Sequence, residues 1–220
     1  RKSTKRLFAR VEKMLALKPD LVVAIKGNTL ESLEALRSFG IPVFALNIGS
    51  VEQLLEAVSR VGRLTGSQHA ADSLRSVLTA RLDDVKAAVE KRERRPRMMW
   101  GYWGEPIFTA GRNTYIDDVL HLAGGENLGR RAPGAWPQIS LETVVSWAPE
   151  ILITTMAFTP ERRGREIREL RRRDGWKSIP AVKQDGIVFL EADLLLRPGP
   201  RVFEALEQLV AEVERREIGP

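Results

Sequence analysis

Residues 11–24, VEKMLALKPDLVVA, and residues 141–154, LETVVSWAPEILIT, carry one pattern twice. Each copy runs apolar, Glu, any, two apolar, any, apolar, any, Pro, acid, and then an apolar stretch. Glu12 matches Glu142, Pro19 matches Pro149 and Asp20 matches Glu150, each pair 130 positions apart. Solenoid repeats recur every 20–50 residues or so, so this period instead predicts two similar lobes in one chain. Val11, Met14, Leu15 and Leu17 share one helical face, as do Leu141, Val144, Val145 and Trp147, which assigns Trp147 to a core. Proline disfavours helix in the residue before it, so both helices are predicted to stop near Lys18 and Ala148. LVVA and ILIT then read as strands buried on both faces of a parallel sheet. Glu12 and Glu142 fall in the first turns of their helices, where the helix dipole favours negative charge. One such glutamate would be read as a solvated first-turn acid; the matched pair suggests a shared role.

The rest of the chain repeats strand and helix in both halves. IPVFALN (41–47) is a second strand, and the helix before it, 30–39, closes on Gly40. Ser50 opens an amphipathic helix over 50–66. From 68 to 91 there is no Gly or Pro, which predicts one long helix, a rigid connector. The expected organisation is an α/β chain of two Rossmann-like lobes, 1–66 and 93–220, joined by a helix over 67–92. Ligands of such sheets bind at the carboxyl ends of strands. The candidates there are Tyr102, Trp103, Trp136 and Phe158, aromatic residues that a core does not require. Asp117 and Asp118 read as the exposed side of a helix.

Composition excludes several classes. The chain has 220 residues and no cysteine, so disulfides, thiolate metal sites and thiol nucleophiles are absent. No stretch approaches the length of a membrane helix, and the basic N-terminus lacks the apolar core of a signal peptide. HExxH, GxSxG and GxGxxG are missing, which argues against catalysis. The net charge of +6 is concentrated in KRERRPR (91–97) and RRGREIRELRRR (162–173). The second run alternates with acids as a solvated helix does, and no nucleic-acid motif accompanies either, so nucleic acid is not an expected partner.

These blocks, with FGIPVFAL, GYWGEPIFTAGRNTYIDDVLHLAGGEN, AWPQISLETVVSWAPEILIT and RPGPRVFEAL, resemble the substrate-binding proteins of ABC importers for metal chelates. Among these the likeness is greatest to the cobalamin-binding members. The resemblance implies two lobes around a ligand cleft, a transported cobalamin-like chelate rather than an intrinsic cofactor, and action at the periplasmic or outer face of the membrane. It implies that Glu12 and Glu142 dock onto arginines of the membrane permease, and that Trp136 contacts the corrin. Lys26 takes the place of a further tryptophan after the first strand. Haem or a ferric siderophore is the alternative ligand. Haem would look to Tyr102, because His69 and His121 lie within helices; an anionic siderophore would look to Arg112, Arg197 and Arg201. Family members begin with another strand and helix upstream, so the N-terminal lobe is expected to be incomplete. A monomer is expected, or a dimer if that lobe exposes a sheet edge.

Overall fold

The computed structural model describes residues 11–25, 30–156 and 159–217. The chain divides into two compact units, Arg1–Ile48 and Gly49–Pro220. In the first, residues 11–16 are helical (α1), followed by β1 (Val22–Ile25), α2 (Leu30–Ser38) and β2 (Val43–Leu46). β1 and β2 pair in parallel, Val22 opposite Val43 through Ile25 opposite Leu46.

The second unit opens with α3 (Val51–Leu64) and α4 (Gln68–Glu90). There follow β3 (Arg97–Tyr102), β4 (Ile107–Thr109), α5 (Tyr115–Leu122), β5 (Glu126–Asn127), β6 (Gln138–Ile139), α6 (Leu141–Trp147) and β7 (Ile151–Thr154). The chain ends with α7 (Pro160–Arg172), α8 (Pro180–Lys183), β8 (Ile187–Phe189), α9 (Ala192–Leu195) and α10 (Val202–Glu217). The sheet order is β6-β4-β3-β7-β8. β3 is its axis: β7 runs parallel on one side, while β5 pairs with the start of β3 and β4 with its end on the other. Among the described residues no helix is long and apolar enough to cross a membrane.

The twin segments take the same local form. Lys18 and Ala148, the residues before the matched prolines, have φ of 48° and 49°. A left-handed residue is a common way to close a helix, and the Ala148 amide donates back to Val144 and Val145. Burial distinguishes the copies. Every residue of β7 is buried, between β3 and β8. Val23 in β1 is 43 % exposed, so the expectation of a strand covered on both faces holds for the second copy only. Leu17, assigned to the apolar face, is exposed because it lies beyond the end of α1.

The division at 48/49 differs from the expected one at 66/67. α4 packs against α3, α5 and α10, burying Ala71, which faces Gly62 of α3, together with Leu78, Leu82 and Val85. At 1.5 Å per residue its 23 residues span about 34 Å. Arg81 fixes it to α10 with two hydrogen bonds to Glu207, at 2.7 and 2.8 Å, and lies over the Phe203 ring. The long helix expected over 68–91 is thus present, and it packs along the second unit.

Glu150, the second copy's acid, anchors the start of β3. One carboxylate oxygen accepts from the Arg97 amide at 2.9 Å and the other from Arg94 at 2.6 Å. Burial alone would raise its pKa; the Arg97 amide and the Arg94 guanidinium outweigh that and hold it below the usual carboxylate range. A carboxyl whose pKa is lower folded than unfolded stabilises fully above its unfolded value, about 4.3, and loses that contribution as pH falls through the folded one. Glu150→Gln is expected to cost about 1–2 kcal/mol at pH 7. In urea melts the difference from wild type should shrink at pH 3; an equal difference at both would remove the ionised carboxylate from the account.

Candidate binding site and docking surface

Side chains alternate along a strand, so Trp100 and Tyr102 leave β3 on one face while Met99 leaves on the other. The Trp100 and Tyr102 rings meet edge to face, 5.1 Å apart. Trp136 arrives from the loop before β6 and packs edge to face on Trp100 at 6.0 Å. That loop is held by hydrogen bonds from Gly111 N–H to the Ala135 carbonyl, 2.9 Å, and from Thr109 N–H to the Pro137 carbonyl, 3.2 Å. Gly111 permits the approach: a Cβ there would lie 2.1 Å from the Gly134 carbonyl oxygen.

The result is a graded aromatic wall. Trp100 is buried, Tyr102 half-buried, and Trp136 is 56 % exposed. Among the described residues, Trp100 Nε1 is buried without a hydrogen-bond partner, and so is Thr155 Oγ1, one residue past β7. Buried polar groups are normally paired, so this end of the sheet holds two polar groups that a ligand atom could satisfy. Met156 beside Thr155 is exposed.

Of the predicted ligand residues, Tyr102 and Trp136 are brought together, both through Trp100, which sequence reasoning did not select. Trp103 is 5 % exposed and packs with Met99, Leu152 and Trp176 in the core on the opposite face, its ring 5.9 Å from that of Trp176. It is thus a core residue in this structure. Arg197 is exposed and ion-paired with Asp193 at 3.1 Å. Arg112 donates to the Arg130 carbonyl. Lys26 and Phe158 lie outside the described residues.

Asp117 and Asp118 correct the expectation of a solvated helix side. Asp117 is 7 % exposed: it accepts from Asn127 Nδ2 at 2.9 Å and from the Asn113 amide at 3.3 Å, tying α5 to the loops around it. Asp118 accepts from the Val51 amide at 2.7 Å, satisfying an otherwise orphaned donor at the start of α3. The Asp118 contact depends on the tertiary fold, whereas the Asn113 amide lies only four residues from Asp117 at the start of α5.

Glu142 is exposed at the second position of α6, behind the N-cap Ser140. Hydrogen bonds from the Ser140 hydroxyl and its own amide hold its pKa below the usual range, so it is ionised at neutral pH. It lines a cleft of about 460 Å³ with Glu105, Gln138, Arg173 and Trp176. Glu12 is likewise exposed, at the matching position of α1.

A model of the family described as periplasmic binding protein matches residues 6–194. An uncharacterised ABC transporter substrate-binding lipoprotein of Bacillus subtilis is 28 % identical over 210 residues, covering 92 % of this chain and 64 % of the Bacillus protein. The vitamin B12-binding protein of Vibrio parahaemolyticus is 28 % identical over 215 residues, covering 93 % of this chain and 72 % of its own length. The crystal structure of the periplasmic vitamin B12-binding protein of Vibrio cholerae superposes with a TM-score of 0.80 at 24 % identity, covering 95 % of this chain and 79 % of the other, and so shares the fold.

Proposed function

Since the chain belongs to the periplasmic binding protein family, we propose that it is the substrate-binding component of an ABC importer, that it binds a cobalamin-like corrinoid, and that it hands it to a membrane permease. The observation that carries the ligand class is the Trp100–Tyr102–Trp136 wall at the carboxyl end of β3. A large, flat, partly apolar ring system gains from aromatic faces with a few fixed polar groups, and unpartnered Trp100 Nε1 and Thr155 Oγ1 supply such groups. The vitamin B12-binding relative supports the same class. Nothing in this reading requires the chain to catalyse a reaction.

Tryptophan fluorescence titrated with cyanocobalamin, hemin and a ferric siderophore tests the choice. Quenching by the corrinoid below about 10 μM is expected, an affinity near 7 kcal/mol. Tight binding of hemin or the siderophore with no response to the corrinoid would replace it.

Glu142 and Glu12 are proposed as permease contacts: exposed carboxylates at matched helix starts suit guanidinium partners. Glu12→Ala and Glu142→Ala are expected to leave ligand affinity unchanged and to weaken association with the reconstituted permease by roughly tenfold each, the size of one charge-assisted contact. Loss of ligand binding by either variant would move that residue out of the docking surface.

A further inference from the structure

The ligand and docking roles leave the arginine-rich helix unused. α7 holds its place in the fold through one side: Leu170 is buried in the core and the Arg163 guanidinium lies 5.7 Å over the Phe189 ring. Its C-terminal end is tied as well, Arg171 to Asp185 and Arg173 to Glu105. Arg165, Arg168 and Arg172 are different. Spaced i, i+3, i+7, they form one stripe on the outer face, and all three are exposed. Among the described residues none of the three has an ion pair or hydrogen bond, although Glu161, Glu166 and Glu169 share the helix. From Arg165 to Arg172 the stripe runs about 10 Å along a straight helix.

We propose that this face of α7 binds the anionic surface of a phospholipid membrane. Guanidinium groups pair with phosphate oxygens in a planar, two-pronged geometry. The stripe has no large apolar or aromatic anchor of the kind that dominates protein–protein hot spots, and it lacks the apolar face that would drive a helix into the acyl layer. What remains is adsorption by charge, supported by a chain that is basic overall at +6. Such adsorption would hold the protein at the surface where a permease is embedded without blocking the aromatic wall at the end of β3.

The test is co-sedimentation of the full chain with vesicles of phosphatidylcholine alone or mixed with phosphatidylglycerol. Wild type is expected to bind only the mixed vesicles at low salt and to dissociate at about 0.5 M salt, where the Debye length falls to a few ångströms. Arg165→Glu/Arg168→Glu/Arg172→Glu should lower the apparent affinity at least tenfold. Its circular dichroism and ligand titration should match wild type, since no partner of the three is lost. A second variant, Arg63→Glu/Lys86→Glu/Lys91→Glu, at exposed positions of α3, α4 and the turn after it, serves as the control for net charge. Equal losses in both variants would reduce the effect to overall basicity. Binding to pure phosphatidylcholine, or no binding to either vesicle, would overturn the proposal, and the latter would return the stripe to a protein partner or to solvent.

Discussion

Trp176→Ala is expected to destabilise the second unit by about 3–5 kcal/mol, the usual cost of emptying a buried aromatic site. Trp176 is 1 % exposed and sits in a cluster with Trp103, Val144, Leu152, Leu170 and Ile179. That cluster joins the β3–β7 sheet to α6, α7 and the turn at Trp176–Ser178, so the cavity would open where four elements converge. In a unit of this size each kcal/mol lowers Tm by about 2–4 °C, giving a fall of roughly 10 °C. Trp103→Leu probes the same cluster from β3. It should lower stability by about 1–3 kcal/mol and leave the ligand dissociation constant unchanged, because its ring packs on Trp176 and not on Trp100. Urea unfolding read by far-UV circular dichroism, beside a ligand titration, separates the outcomes. An unchanged midpoint with a collapsed affinity would show that Trp103 faces the ligand after all.

The distinction between Trp100 and Trp103 marks where the sequence stops being readable. The twin segments announce their helix, turn and strand because each signal is local: apolar spacing, a proline, and a β-branched run. The matched φ values at Lys18 and Ala148 follow from those same few residues. The aromatic run WGYW is harder. Placed together at the carboxyl end of a strand, Tyr102 and Trp103 look equivalent, whereas β3 extends to Tyr102 and alternation sends residues 100 and 102 to one side. Alternation carried through to Tyr102 selects Trp100 as its partner on that face. Thr114-x-x-Asp117 has the local spacing of a capped helix start, whereas Asp118 has no local signal. The Val51 amide that meets Asp118 and the Asn127 side chain that meets Asp117 become neighbours only when α3, α5 and the loops assemble.

Trp136→Ala is expected to weaken corrinoid binding by about 30-fold or more, the range of a hot-spot aromatic, with little loss of stability. The asymmetry follows from exposure. Trp136 is 56 % exposed and meets the edge of Trp100, so truncation opens little cavity, yet it removes the outermost ring of the wall. Gly111→Ala should reproduce part of the loss without touching a ligand. Its new methyl would collide with the Gly134 carbonyl, and the Trp136 loop would have to move away from β4. The two variants are then distinguishable by temperature: Gly111→Ala should also lower Tm, because backbone, not a flexible side chain, must give way. Tyr102→Phe keeps the ring that meets Trp100 edge to face and should stay within about threefold of wild type for a corrinoid. A haem ligand bound through the phenolate would instead lose most of its affinity in that variant. One set of titrations on these three variants thus locates the site and discriminates between the two ligand classes. Full affinity in both Trp136→Ala and Gly111→Ala would place ligand binding away from the end of β3.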